Sequence, residues 1–590
     1  MIPYNFGGDR IVIPGTYTEA KFPAQPTGVS AAGRIAAIVA PSQGGIPYNA
    51  NVSEALRKNT TESIAQARGI LIGGTAYHMA EFYLNPTNDL TLNTPSQVYV
   101  IRVDPSTQAT SVIQNTGATT DIIDLASGRY GTSANYVQYK IEAGSSIGYK
   151  VSVSVFGNLI LDAQDDVSYE YFSIEYIGIG TAATMSIDGT TLTTAITGAT
   201  DDNLSINLTE VATLGDLVAL ISGHEAYSCL LREDSSLPSV NLDIITGVDI
   251  LTAPYSAYAN TQAVIDLLNQ ETNGELVATL ASGATRESLE INASFIALAG
   301  GTDVVPTTTD WQNTFDLLTQ DEYSDIDHII VGSSDPVVHS IASAHCREMG
   351  KVKVRKERQF LTGAGSTKSL DDRISESIDL NDSNGEYVFS KIQRLNRTNN
   401  TTEWFAPYYG AAIIAGIRAN NNVTMSATFK NVNVTGIESF SNPEQGRIIK
   451  SGGTYFLKTG STFTVGHNVT TFQGNDIRFR LPSVVQTIFF IQKDLRRQGQ
   501  ELIAGFDRAP DAFMVSSTEN RFNTVILRDY RTIGYITDNP NTGEPAFTPV
   551  SLVLDGEVFK LKTTLTIPVA THYNFITINF QTVGSVPSAA

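Results

Sequence analysis

The side chains of this 590-residue chain that could do chemistry are few and poorly spaced for it. Gly131-Thr132-Ser133-Ala134 has the letters of a serine-protease nucleophile loop. Such a serine needs a histidine to take its proton and an aspartate to orient that histidine. None of the seven histidines is followed by glycine, and Asn135 breaks the loop pattern, so no protease site is read here. His224-Glu225 runs on into Tyr227-Ser228 without the second histidine, one helical turn later, that a zinc-binding helix requires. His339 and His345 stand too far apart to share a helix face well, and Cys346 is expected as a small buried apolar side chain. Gly363-Ala-Gly-Ser-Thr-Lys-Ser369 has P-loop composition, but Lys368 does not follow a glycine, so a flexible loop is expected. Residues 379–386 carry calcium-like side chains without EF-hand spacing and read as a solvated turn. No catalytic residue, metal ligand or cofactor is assigned, and this thin yield favours a structural protein over an enzyme.

Composition narrows the class. Acidic residues outnumber basic ones 60 to 39, a net charge of −21 spread along the chain. Phosphate recognition needs clustered cations, so nucleic acid is not expected as a main partner. Hydrophobic residues make up 42%, enough for sizeable cores, and on a prior of roughly 150 residues per domain the chain suggests about four domains. Two cysteines, Cys229 and Cys346, exclude a disulfide framework and fit a reducing compartment. Met1-Ile-Pro-Tyr-Asn lacks the basic and apolar regions of a classical signal peptide. The most apolar segment, 484–491, is far shorter than the ~20 residues of a membrane helix, so membrane insertion is not expected.

The elements are organised around residues 403–428. Trp404, Phe405, Tyr408 and Tyr409 flank Pro407, and then come Ala411, Ala412, Ile413, Ile414, Ala415, Gly416 and Ile417. A helix that is apolar all round is buried on every side. Asn420, Asn421 and Asn422 should end it, and the β-formers that follow predict a central strand. Helical periodicity marks 51–80, 261–268, 309–318 and 336–349; near-continuous apolar strands mark 34–40, 98–103 and 328–331. Between about 150 and 245 alternating strands dominate, with a hairpin at Asp188-Gly189 and one helix over 214–221. A long helix is predicted over 483–499, capped by Ser483 with Pro482 outside it, its last turns carrying Lys493, Arg496 and Arg497. A hairpin follows at Asp555-Gly556. The chain closes on 573–583, where Ile576, Ile578 and Phe580 share one face of a strand. The amino-terminal 30 residues are rich in Pro and Gly and read as an extended arm containing the short strand Ile11, Val12, Ile13 and the extended Tyr17. The fold class expected is α+β and multidomain: an α/β core sheet with helices, a β-rich inserted outer domain, and extended strand arms at both termini.

Several stretches carry a resemblance. Ile13-Pro14-Gly15-Thr16-Tyr17-Thr18-Glu19, with Thr16 in place of the usual Val, is similar to the start of contractile-tail sheath proteins. The run 127–135, the turn from Ala297 to Asp303, and the aromatic-Pro-Tyr entry, Ala-Gly-Ile-Arg-Ala exit and Ser-Ala-Thr-Phe-Lys continuation of 403–430 resemble parts of the same family, in the same order. The resemblance covers 150–245 poorly. It implies an arm at 1–30, a core split between 31–145 and 251–420, an inserted peripheral domain at 146–250, an inner domain at 421–570 and a strand arm at 571–590. It implies a homopolymer assembled helically around an inner tail tube protein, in company with baseplate and tail terminator proteins. Such a sheath is made in the bacterial host cytoplasm, resides in the virion tail, and contracts to drive the tube through the host envelope. The arms, through Ile11, Val12, Ile13, Tyr17, Phe575, Ile576, Ile578 and Phe580, would add strands to neighbouring subunits. Lys493, Arg496 and Arg497 are candidates for facing the tube. A non-contractile virion component such as a baseplate protein, and a secreted enzyme with β-rich modules, stand as alternatives.

Overall fold

The computed structural model describes residues 34–504, 511–555 and 558–569, together with the backbone of the short paired strands Tyr4–Phe6 and Asp9–Ile11. The chain mixes helices with many sheets and divides into two compact units. One comprises Met1–Ile38, Met79–Val98 and Leu318–Ala590; the other comprises Val39–His78 and Tyr99–Leu317.

The first unit is built on a mostly parallel sheet. Its strands are β1 (Ile35–Ala40), β2 (Ile326–Val331), β3 (Gln359–Gly363), β4 (Gly385–Val388), β5 (Gly453–Thr459) and β6 (Thr462–His467), in the spatial order β6-β5-β4-β3-β2-β1. The pairs β2–β3, β3–β4 and β4–β5 are parallel, and the β5–β6 hairpin is antiparallel. Parallel neighbours need crossovers, and helices supply them: α1 (Pro336–Met349) between β2 and β3, α2 (Leu370–Leu380) between β3 and β4. Both helices start on sequence-encoded caps. Asp335 accepts from the amide of Val337 ahead of Pro336, and Ser369 with Asp372 forms a capping box. The expected flexible loop at 363–369 is therefore an ordered turn into α2.

α3 (Pro407–Ala419) is the apolar helix the sequence calls for. Pro407 occupies its first turn, and Ile413, Ile414 and Ile417 are fully buried. Each buried isoleucine contributes about 1.5–3 kcal/mol of transfer free energy. Its glycines mark where other elements come closest. A Cβ on Gly410 would lie 2.8 Å from Phe456 of β5, and one on Gly416 would lie 2.3 Å from the carbonyl of Tyr83. The expected central strand after α3 does not form. Residues 421–430 are turn and irregular chain, and Phe429 sits at φ 62° with its side chain exposed. The Phe429 amide donates to Val465, and the Val465 amide donates to Lys430, so this segment lines the β6 edge instead. The later helix α4 (Pro482–Ala504) runs past the expected end at residue 499 and takes in Pro482 at its start.

The second unit is antiparallel. Three-stranded and four-stranded sheets, Leu276–Leu280/Asp121–Tyr130/Gln108–Gln114 and Ile296–Ala297/Val137–Ala143/Tyr149–Val155/Asn158–Val167, enclose one apolar core with the helix Asn260–Glu271. A second core gathers residues from Tyr171 to Ala259 around two further sheets and the helix Leu214–Ser222. The Asp188-Gly189 turn joins Ala182–Ile187 to Thr191–Thr197, with Gly189 at φ 97°.

The close approach at Gly416 gives a direct test. Its nearest neighbour is backbone and cannot rotate away, so Gly416→Ala should destabilise the protein by about 1–3 kcal/mol despite the better helix propensity of alanine. Thermal unfolding of the variant against Gly446→Ala, where a Cβ meets nothing within 4 Å, checks this.

Candidate functional site

Two buried arginines organise the units, one in each. Arg418, on the last turn of α3, is fully buried. Its guanidinium pairs with Glu386 of β4, donates through Nη2 to Gln359 of β3 at 2.6 Å and to His328 of β2 at 2.9 Å, and through Nε to Gln486 of α4 at 2.8 Å. Asn468 completes Glu386, donating to its second oxygen at 2.5 Å. Three adjacent strands and α4 thus meet on one side chain of α3, and the exit of β6 joins them through Glu386. The planar five-donor fork of arginine suits this; a lysine could not reach four acceptors in one plane. A guanidinium only donates, so Nε2 of His328 is the bare nitrogen and Nδ1 carries the proton. Burial first, then the nearby Arg418, Arg34 and Lys493, hold His328 well below its ordinary pKa, and the ring stays neutral.

In the other unit Arg102 is fully buried at the end of the strand Tyr99–Arg102. It bonds Asp104 at 2.6 Å, Asp303 at 2.6 Å and the carbonyls of Gly45 and Tyr130 at 3.0 and 3.2 Å. Asp303 accepts in turn from the Thr132 hydroxyl at 2.6 Å, while Asn135 and Gly301 exchange two hydrogen bonds of 2.9 Å. The stretches 127–135 and 297–303, singled out by resemblance, are therefore joined in space. Gly131 at φ 83° is required there, because a Cβ would fall 1.8 Å from Asp303. Ser133 is buried with its hydroxyl donating to the Tyr130 carbonyl, a structural role.

Neither arginine was singled out from the sequence as a site residue. The available signal was a charged residue inside an apolar run, Tyr-Val-Ile-Arg-Val in one case and Ala-Gly-Ile-Arg-Ala in the other. The turn at 379–386 is also corrected: Asp382 and Glu386 are buried, with Asp382 accepting from Ser343 and from Arg347. Burial raises the thiol pKa of Cys346 and pushes that of Cys229 up to about 12, which disfavours the thiolate in both.

The three cations named from the sequence lie on α4, each with a carboxylate of its own. Lys493 reaches Asp327 at 2.7 Å, Arg496 grips Glu357, and Arg497 pairs with Asp494 at 2.5 Å and Glu501 at 2.8 Å. Of the arm residues, Ile11 falls in the short strand Asp9–Ile11. Val12, Ile13, Tyr17, Phe575, Ile576, Ile578 and Phe580 lie outside the described residues. Ser551–Asp555 pairs antiparallel with Val558–Lys562, and this two-stranded sheet has no third strand among the described residues.

Comparison with known proteins gives the class. No family model and no curated protein matches the chain by sequence. Among solved structures, a sheath tail protein from Desulfitobacterium hafniense matches with a TM-score of 0.52 at 12% identity, over 93% of this chain and 100% of that one. The sheath tail protein Lin1278 from Listeria innocua matches with a TM-score of 0.52 at 14% identity, over 91% of this chain and 95% of that one. The chain has the fold of sheath tail proteins.

Two measurements probe the Arg418 centre. Arg418→Met leaves Glu386 buried without its partner and should cost about 3–5 kcal/mol, with Glu386→Leu in the same chain restoring part of the loss; the thermal midpoints of single and double variants decide this. The pH dependence follows from His328. Below about pH 6.5 the unfolded chain protonates this histidine and the folded chain does not, so stability falls as pH drops from 6.5 toward 5. His328 contributes up to about 1.4 kcal/mol per pH unit in that window, and His328→Gln should flatten the difference.

Proposed function

We propose that the protein is the structural subunit of a contractile tail sheath. Copies polymerise helically around an inner tube, and the assembly shortens to push that tube through a host envelope. The observation that supports this reading is the match of nearly the whole chain to sheath tail proteins over 95–100% of their length. The work of shortening comes from the difference in interface energy between extended and contracted assemblies, as in any two-state switch. No nucleotide is required. The polymer is assembled in the bacterial host cytoplasm, ends on baseplate and terminator proteins, and becomes part of the virion tail.

Subunits are linked by strand augmentation in this reading. The hairpin Ser551–Lys562 supports it. Isolated two-stranded sheets are marginal in water, and Val553 and Leu561 are solvent-exposed on it at 54% and 36%. Its outer edges offer unpaired backbone groups to incoming strands. The donor strands proposed are those of Ile11, Val12, Ile13 and Tyr17 at one end and Phe575, Ile576, Ile578 and Phe580 at the other. Lys493, Arg496 and Arg497 remain the proposed tube-facing group. Arg497, 43% exposed, has the most surface of the three to offer.

Negative-stain microscopy of the full-length chain beside a chain ending at Thr571 tests the assembly. Striated hollow tubes from the full chain and none from the truncation are expected. Tubes from both would remove the carboxy-terminal arm from the scheme, and discrete particles from both, even with inner tube added, would favour a baseplate-type role. For the tube contact, Arg497→Glu should weaken co-sedimentation of sheath with tube and leave sheath self-assembly unchanged; equal co-sedimentation would discard Arg497.

A further inference from the structure

Beside the Arg418 centre lies a cavity of about 20 Å³, lined by Arg34, Asp327, His328, Glu357, Gln359, Gln486, Phe489 and Phe490. That is room for one water-sized or slightly larger species. Three buried donors among its lining residues make no full hydrogen bond among the described residues: Arg34 Nε, Gln486 Nε2 and His328 Nδ1, the last in only a weak contact with the Gln486 side chain. Their identity as donors is fixed by Arg418. Its Nη2 takes the bare Nε2 of His328, leaving Nδ1 protonated, and its Nε takes Oε1 of Gln486, leaving the amide nitrogen facing away. His328 and Gln486 are 1% and 4% exposed, so bulk solvent does not satisfy them. Buried donors in a native protein are normally satisfied, which means an acceptor is missing here.

The charges around the cavity indicate which acceptor. Arg418 is matched by Glu386, Lys493 by Asp327, and Arg496 by Glu357. Arg34 is left over. Its Nη2 donates to the carbonyls of Arg418 and of Asn421, the latter at 2.8 Å, and it makes no ion pair among the described residues. Burial pulls the Arg34 guanidinium down to about 10, the direction taken by a sequestered cation. Three donors on residues lining one cavity and one excess positive charge describe an acceptor-only, singly charged ligand. We propose that this cavity is a binding site for one monovalent anion of halide size, held by Arg34, His328 and Gln486. Arg34 immediately precedes β1, so the ion fastens the start of that strand to the carboxy-terminal end of α3.

Bromide is the probe. Crystals of the full-length protein soaked in sodium bromide should give an anomalous peak within hydrogen-bond reach of Arg34 Nε and His328 Nδ1. In solution, the thermal midpoint should rise by a few degrees in sodium chloride relative to sodium gluconate at equal ionic strength. Gln486→Glu places a carboxylate oxygen beside the same donors while still accepting from Arg418. That variant should keep its fold, lose the bromide peak and become indifferent to chloride. Oxygen-like density without anomalous signal would assign the cavity to a water and overturn the proposal, as would equal midpoints in chloride and gluconate for the unmodified protein.

Discussion

A guanidinium with no access to water is stable only if every donor is answered, and the first unit is arranged around that requirement. Arg418 takes one acceptor from each of three neighbouring strands and one from α4. Each acceptor belongs to a particular residue at a particular height in the sheet, so a slip of one residue in any strand would turn the partner to the opposite face and leave the charge unmatched. A buried ion pair adds little net stability over a well-packed apolar pair of the same volume. Its effect here is on register: it admits one alignment of β2, β3 and β4 beneath α3 and penalises the others.

The second unit repeats the device with different geometry. Arg102 joins two acidic residues, Asp104 near it in sequence and Asp303 about two hundred residues away, so the long β-rich excursion between them begins and ends on one side chain. Glycine is needed where these turns touch, at Gly131 and Gly301, because backbone and carboxylate approach within distances a side chain would occupy. In both centres the guanidinium itself is met by intramolecular acceptors.

Regular elements with strong periodicity were legible in the sequence. The helix Pro336–Met349, the strand Tyr149–Val155 and the hairpins at Gly189 and Asp555 stand where patterning and turn chemistry put them. The apolar segment 411–417 was legible as a buried helix for the same reason. The misses share a cause. The strand expected after α3 and the solvated turn at 379–386 were inferred from local composition, whereas tertiary contacts decide both. The segment after α3 is drawn to the edge of β6, and Glu386 is drawn inside by an arginine more than thirty residues away. The buried centres were illegible because Arg418, Glu386, His328, Gln359 and Gln486 share no spacing in the chain; only the folded sheet makes them neighbours.

Helical reconstruction by cryo-electron microscopy of tubes assembled from the full-length protein would be the most direct measurement. The result expected is a subunit whose Arg418–Glu386 and Arg102–Asp303 pairs are retained, with strands from neighbouring copies completing the Ser551–Lys562 sheet. Tubes in which that hairpin keeps bare edges, or in which either arginine has exchanged its partners, would contradict a rigid body linked by strand exchange.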